Sequence, residues 1–140
     1  MADEDRISRL LDETEIRNAI AKLAIHADDG NSEAFLSILA EDVHWENRAN
    51  PERPPIIGRA AFRAIQEGGA RRAAVMGPHS VHSVPTSAIT VDGDTATVKT
   101  YLFYYRDVNS GAAPGCKIYN DRFVRTADGW KLSVRHIDPV

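Results

Sequence analysis

The chain has 140 residues, and 17 lysines and arginines stand against 20 aspartates and glutamates, which gives a formal net charge of −3 at pH 7. No basic block is present, so we do not expect a nucleic acid as the main partner. No apolar stretch approaches the roughly 18 residues of a membrane-spanning helix, and the acidic N-terminus does not resemble a secretory signal. The single Cys116 excludes an internal disulfide. We therefore expect one cytoplasmic domain over residues 1–140, without membrane contact.

The N-terminal region predicts a long helix that ends in a turn. Helical periodicity runs through residues 4–28, in one piece or two, and Asp12-Glu13-Thr14-Glu15 resembles a capping box at the start of a second piece. Gly30 suits a left-handed helix stop, and Asn31 suits the N-cap of a short helix over residues 32–40. The apolar stripe of the long helix consists of Ile16, Ile20, Leu23, Ala24 and Ala27.

Asp28 lies at the edge of this stripe, whereas Asp29 falls on the opposite side of the helix. A carboxylate at a helix C-terminus is disfavoured by the helix dipole, by about 0.3–1 kcal/mol. Two interpretations follow from the residues alone. Asp28 is either part of the turn, held by a local hydrogen bond, or it is an inward-pointing carboxylate with a chemical role.

A short strand, a proline-rich loop and a third helix follow. Val43-His44-Trp45 is a strand candidate, and three prolines predict a loop over residues 47–57. The third helix is expected from about Arg59 to Ala73. Its predicted buried residues are Ala61, Phe62 and Ile65.

The second half of the chain predicts four long strands in a meander. Asp92-Gly93 and Asp128-Gly129 mark hairpin turns, and residues 107–114 form a loop between the two hairpins. The predicted strands cover residues 79–91, 94–106, 115–126 and 130–137. Helices that precede a long meander indicate an α+β fold, with the N-terminal helices packed on one face of a curved antiparallel sheet.

Three features of the strand sequences lead to further predictions: a proline, an apolar alternation and a run of aromatic residues. Pro85 makes an irregularity in the first long strand plausible. Trp130, Leu132 and Val134 predict an alternating apolar face in the last strand. The run Tyr101-Leu102-Phe103-Tyr104-Tyr105 places aromatic residues on both faces of its strand. Because a sheet with two apolar faces does not suit a monomer, we expect a homodimer that covers the outer face.

Five weak motifs, taken together in their order and spacing, resemble the NTF2-like superfamily and its SnoaL-like branch over about residues 8–137. This branch is similar to scytalone dehydratase, bile-acid dehydratases, polyketide cyclases and ketosteroid isomerases. The motifs are Asp28-Asp29-Gly30-Asn31 with Phe35, Glu41-Asp42-Val43, Gly58-Arg59-Ala60, Val91-Asp92-Gly93-Asp94-Thr95-Ala96, and Tyr119-Asn120-Asp121-Arg122-Phe123 through Gly129-Trp130. The resemblance implies an NTF2-like (cystatin-like) cone whose open end is an apolar pocket with a few ionisable groups.

The resemblance also implies site residues. Asp28 and His82 match the pocket carboxylate and the catalytic histidine of the dehydratases. Tyr119 matches a tyrosine that often lines the pocket, and Asp107 falls near a second acid/base position. Many members carry a tyrosine five residues before the aspartate, where this chain has Leu23. The missing donor would then come from Tyr101, Tyr105 or Tyr119. Trp45 is expected either to pack in the core or to contact the substrate.

The spacing of the five histidines does not predict a metal site. His26, His44, His79, His82 and His136 show no HxH or HxxxH spacing, so a site would need assembly in three dimensions. His79 and His82 would face opposite sides of a regular strand. No phosphate-binding glycine loop and no GxSxG motif occur. We expect neither a metal nor a cofactor.

Two functions are compatible with these features. The first is a small-molecule lyase or isomerase, similar to dehydratases, in which Asp28 and His82 form an acid/base pair that acts on a small, partly hydrophobic substrate. The alternative is a non-catalytic ligand-binding or accessory subunit, similar to the small subunit of ring-hydroxylating dioxygenases. The distance between Asp28 and His82 in the structure discriminates between them.

Overall fold

A computed structural model describes residues 2–76 and 80–140, and the side chains of residues 69–76 lie outside the description. The prediction for His79 therefore falls outside the described residues. Three helices and six strands are described: α1 (Asp3–Asp29), α2 (Ser32–Ser37), β1 (Leu39–Asn47), β2 (Ile56–Ile57), α3 (Arg59–Met76), β3 (Val81–Asp92), β4 (Thr95–Tyr105), β5 (Gly115–Thr126) and β6 (Gly129–Pro139).

Helix α1 is continuous, and the predicted capping box inside it is wrong. The side chains of Asp12 and Glu15 form long-range contacts instead. Asp12 accepts hydrogen bonds from Arg125 and from the indole of Trp130, and Glu15 accepts one from the backbone N–H of Trp130. These contacts hold the middle of α1 against the β5–β6 hairpin. The predicted stripe is buried as far as Ala24, but Ala27 is exposed.

Helices α2 and α3 differ from their predictions. Helix α2 stops at Ser37, because Leu39 already belongs to β1 and the carbonyl of Ile38 accepts a hydrogen bond from Leu132 of β6. In α3, Phe62 is 6% exposed and packs in the core, as expected. The expectation that Ala61 and Ile65 are buried is wrong, since both are exposed. Among the described side chains of α3, only the edge that carries Phe62 contacts the core.

The strands form one sheet in the order β2-β1-β6-β5-β4-β3. The four-strand meander is antiparallel, and its two tight turns place Gly93 and Gly129 at φ values of 59° and 101°. The pairing of β1 with β6 is parallel, so the sheet is mixed rather than entirely antiparallel. The predicted α+β arrangement, with N-terminal helices on a sheet, is confirmed. We call the face that α1 covers the inner face and the opposite face the outer face.

Two bulges decide which residues reach the inner face. In β3, one extra residue around Pro85 shifts the register, so that His82 pairs with Tyr104 while Ile89 pairs with Val98. The predicted irregularity at Pro85 is thus confirmed, and it turns an even-numbered residue inward on a strand whose later inward residues are odd-numbered.

The second bulge is Ser133 in β6, which lies between the pairs Leu132–Phe123 and Val134–Arg122. The predicted continuation of the apolar face from Leu132 to Val134 is therefore wrong. Val134 lies on the outer face, and Arg135 takes the inner position with 2% exposure. The apolar core lies between the helices and the inner face. Among the described residues, no helix is long and apolar enough to cross a membrane.

Candidate active site

Asp28 and His82 meet where the end of α1 passes the start of β3. The imidazole Nδ1 of His82 lies 2.5 Å from Oδ1 of Asp28, and the backbone N–H of His82 donates to Oδ2 at 2.8 Å. The two side chains are 16% and 27% exposed, for aspartate and histidine respectively. Both carboxylate oxygens are thus directed at one residue, while part of the imidazole stays accessible.

The contact indicates which imidazole nitrogen carries the proton. An ionised carboxylate only accepts hydrogen bonds, so a neutral His82 bonded to Asp28 through Nδ1 carries its proton there. The Nε2 atom is then left with a free lone pair. Within residues 2–76 and 80–140, no protein group is found in hydrogen-bond contact with Nε2. An imidazole oriented in this way by a carboxylate can accept a proton from a bound molecule.

Tyr104 is an aromatic neighbour of this pair that the sequence reasoning did not select. Its ring centroid lies 4.6 Å from that of His82, because the two residues face each other across β3 and β4. Tyr105, which was predicted to bind the substrate, is the neighbouring residue and points to the outer face. Pro85 is the sequence feature that could have identified Tyr104. A bulge at Pro85 shifts the register of β3, and the shifted register pairs His82 with Tyr104.

Tyr119 lies on the inner face of β5, where it is 5% exposed. Burial raises the pKa of its phenol to about 12, and the nearby Asp28 carboxylate acts in the same direction. The hydroxyl is protonated at neutral pH, as an unperturbed phenol with a pKa of about 10 would also be, and it can donate a hydrogen bond. The guanidinium of Arg135 lies 3.7 Å from the centroid of the Tyr119 ring, a cation–π contact that fixes this ring.

Arg135 and Asp121 form a buried ion pair that sequence reasoning missed. The guanidinium donates through Nε and Nη2 to the two carboxylate oxygens at 2.8 and 2.7 Å. Both side chains are almost fully excluded from solvent. Burial raises the pKa of the Asp121 carboxyl, and the Arg135 charge opposes that rise. The alternation Tyr119, Asp121, Phe123 could have indicated an inward Asp121, but the Ser133 bulge hides its partner.

Trp45 lies on the inner face beside Arg135, which also contacts Tyr119. Its ring lies 4.8 Å from the Arg135 guanidinium and packs against Phe35 and Phe62. Trp45 is half-buried, so it packs against the core while one part of the ring remains accessible. Leu23, at the position where many similar proteins have tyrosine, is 1% exposed and belongs to the core.

Asp107 lies apart from these residues, in the exposed turn after β4. Its carboxylate accepts a hydrogen bond from the backbone N–H of Asn109, and its carbonyl accepts one from Ser110. This is the geometry of an aspartate that stabilises a turn. The predicted substrate contact of Asp107 stays a prediction.

The outer face carries a concave surface of about 650 Å³. Lys99, Asn120, Arg122 and His136 contribute polar side chains to it. The sheet separates this surface from the Asp28–His82 pair, so it is not the predicted catalytic pocket. At one end of it, His44, Glu46 and His136 converge as a possible metal-binding group that no sequence spacing indicated.

Comparisons with known proteins support the fold. The family model described as SnoaL-like domain matches residues 8–136. The chain is 30% identical to an NTF2-like protein with a cystatin-like fold from Novosphingobium aromaticivorans; the match covers 96% of this chain and 85% of that one, with a TM-score of 0.82. No curated protein sequence matches the chain.

Two further solved structures share the fold at lower identity. One is a candidate aromatic ring hydroxylase from Novosphingobium aromaticivorans, with 22% identity, coverage of 94% and 90%, and a TM-score of 0.78. The other is a candidate scytalone dehydratase from the same organism, with 18% identity, coverage of 94% and 86%, and a TM-score of 0.76. At these identities the likeness concerns the fold alone.

Proposed function

The chain belongs to the SnoaL-like family of NTF2-like proteins, and on this premise we propose that it is a small-molecule lyase or isomerase that works by proton transfer. The observation that carries the proposal is the double hydrogen bond between Asp28 and His82. One fold of this kind supports many reactions, so the site and not the fold indicates the reaction.

His82 is the general base in this mechanism. Its Nε2 removes a proton from a carbon next to a carbonyl group, and Asp28 stabilises the imidazolium that forms. In a dehydration, the same imidazolium returns the proton to the departing hydroxyl group. In an isomerisation, it returns the proton to another carbon of the substrate. A general acid/base of this type contributes about 10²–10⁴-fold in rate.

Tyrosine hydroxyls stabilise the negative charge that develops on the substrate oxygen. The contact between the Tyr104 and His82 rings supports Tyr104 in this role, and Tyr119, whose pKa burial raises, is a second candidate donor. We expect Tyr104 or Tyr119 to supply the hydrogen-bond donor that a tyrosine supplies in many similar proteins at the position of Leu23. Trp45 and Phe62 would give the substrate an apolar surface, which suits a small, partly hydrophobic molecule.

Exchange of carbon-bound hydrogen for deuterium tests the proposal without knowledge of the natural substrate. A panel of cyclic ketones and β-hydroxyketones is incubated with the full chain in D2O, and deuterium incorporation is followed by NMR. Wild-type protein should accelerate exchange next to the carbonyl, and His82→Ala should lose that acceleration. His26→Ala is the matched control, because His26 lies in the last turn of α1 without a hydrogen bond to Asp28. Equal exchange by wild type and His82→Ala would refute the base assignment.

The alternative role as an accessory subunit makes a different prediction. Such a protein would use the outer face for assembly and would not need the Asp28–His82 geometry.

We keep the homodimer and the cytoplasmic location as predictions. Tyr101 is 40% exposed on the outer face, which favours contact with a second copy. Sedimentation should show a dimer that Tyr101→Arg weakens; a wild-type monomer at micromolar concentration would contradict it.

A further inference from the structure

Three potential metal ligands converge on the outer face, at the junction of β1 and β6. His44 and Glu46 are two residues apart on β1 and therefore point the same way. In the parallel ladder, Glu46 pairs with His136 and His44 pairs with Val134, both of which lie on the outer face. Adjacent hydrogen-bonded strands thus present two imidazoles and one carboxylate side by side.

The distances are close to those of a bound metal ion. The Oε2 atom of Glu46 lies 3.2 Å from Nε2 of His44 and 3.7 Å from Nε2 of His136. One ligand atom from each of the three residues lies within 4.8 Å of the others. Ligand atoms in a tetrahedral zinc site are about 3.4 Å apart, since each is about 2.0–2.1 Å from the metal. The two edges to Glu46 are close to this spacing, and the ligand atoms of the two histidines lie within 4.8 Å of each other.

We propose that His44, Glu46 and His136 bind a divalent transition metal ion, with Zn²⁺ as the chemical prototype. Imidazole and carboxylate ligands suit Zn²⁺, Co²⁺, Ni²⁺ and Cu²⁺. Three protein ligands leave a fourth tetrahedral position for water or for a group supplied by a bound molecule. This site lies across the sheet from Asp28 and His82, so it does not depend on the proposed proton transfer.

Hydrogen bonding alone accounts for only part of the cluster. The contact between His44 and Glu46 is a hydrogen bond, but the 3.7 Å between Glu46 and His136 is too long for one. A metal ion would join all three groups, whereas a proton joins only two. Each side chain is about one-third exposed, so an ion can enter without unfolding of the sheet.

The surrounding charges are compatible with a cation. Arg48, one of the positive groups nearby, donates two hydrogen bonds of 2.6 Å to Asp138, which pairs its charge, although that charge also interacts with Glu46. The Asp138 carboxylate also lies near His136, where negative charge favours a bound cation. Asn120 donates to Asp138 and fixes this carboxylate further. The cluster therefore combines convergent ligands with a neighbouring carboxylate, Asp138, whose charge is paired with Arg48.

Metal titration of the full chain tests the proposal. Protein freed of metal with a chelator is titrated with ZnCl2 by calorimetry and with CoCl2 by visible absorption, where tetrahedral Co²⁺ gives intense bands. We expect saturable binding of one ion per chain. Loss of one protein ligand in His44→Ala or His136→Ala should weaken binding by at least about tenfold. His26→Ala, which removes a histidine of α1, should bind as wild type does.

Glu46→Gln distinguishes metal binding from hydrogen bonding, since it keeps the shape of the side chain but removes the charge. It should weaken Zn²⁺ binding and leave the unfolding midpoint of the metal-free protein near that of wild type. If one histidine variant fails to fold, the other and Glu46→Gln still decide the question. Absence of saturable binding to wild type, or equal affinity in wild type, His136→Ala and Glu46→Gln, would overturn the site.

Discussion

Asp28 and His82 are 54 positions apart in the chain, yet the aspartate carboxylate binds both the imidazole Nδ1 and the backbone N–H of the histidine. The backbone contact fixes the carboxylate with respect to β3, and the ring contact then fixes the imidazole. A carboxylate that only ended a helix would need neither contact. This arrangement favours the chemical interpretation of Asp28 over the turn interpretation.

Replacement of Asp28 by asparagine should change the protonation pattern of His82. In wild type, the neutral ring should carry its proton on Nδ1, because the ionised Asp28 carboxylate can accept a hydrogen bond but cannot donate one. An asparagine amide can rotate and donate instead, so Asp28→Asn should raise the population with the proton on Nε2. Two-dimensional NMR of the ring nitrogens measures both forms. The same variant should lose about 10²–10⁴-fold in any turnover that depends on His82. An unchanged nitrogen spectrum would contradict the assigned orientation.

Tyr104→Phe and Tyr105→Phe form a matched pair that tests which face holds the ligand. The first change keeps the ring that contacts His82 and removes only its hydroxyl, whereas the second removes a hydroxyl from the outer face. Loss of one neutral hydrogen bond to a ligand costs about 0.5–1.5 kcal/mol, so Tyr104→Phe should weaken turnover or binding by about 2- to 13-fold. Tyr105→Phe should have little effect. A larger loss in Tyr105→Phe would place the ligand on the outer face.

The buried pair of Asp121 and Arg135 should be costly to break on one side only. Asp121→Asn leaves the Arg135 guanidinium without its counter-charge at 2% exposure, and we expect a loss of about 3–5 kcal/mol in the free energy of unfolding. Urea titration measures this loss. The double variant Asp121→Leu/Arg135→Met should recover most of the stability, because an apolar pair of similar volume needs no counter-charge. A double variant as unstable as the single one would indicate that packing of Arg135 between Trp45 and Tyr119 dominates.

Asp12 should contribute to a loss of stability in acid. The hydrogen bond from Arg125 lowers the pKa of its carboxyl below 3.8, although burial acts in the opposite direction. The unfolded chain then binds this proton more tightly than the folded chain, so the stabilisation is complete above about pH 4 and is lost as the pH falls through the lower, folded pKa. Because Arg125 is partly exposed, Asp12→Asn should cost about 1 kcal/mol at pH 7. Urea midpoints of wild type and Asp12→Asn should converge as the pH falls below the folded pKa of Asp12; a constant difference would exclude linkage through Asp12.

Local pattern was sufficient for most elements, whereas the choice of Asp28 and His82 as a candidate pair came from the family resemblance. Periodicity, glycine turns and the resemblance around Asp28 led to α1, the meander and the Asp28–His82 pair. The boundary of α2 was predicted wrongly because Ile38 and Leu39 form hydrogen bonds and pairs with β6, far along the chain. The buried face of α3 was predicted wrongly because, among the described side chains of this helix, Phe62 is the one that packs in the apolar core.

The sequence by itself determined the order of helices and strands, since apolar periodicity and turn residues are properties of neighbouring positions. The tertiary structure alone decided which strand residues share a face. One extra residue at Pro85 turns His82 toward Asp28 and Tyr104, and another at Ser133 turns Arg135 toward Asp121. A bulge reverses the alternation of side chains, and its place in the ladder depends on the partner strand. For the same reason, only the parallel pairing of β1 with β6 brings His136 beside Glu46.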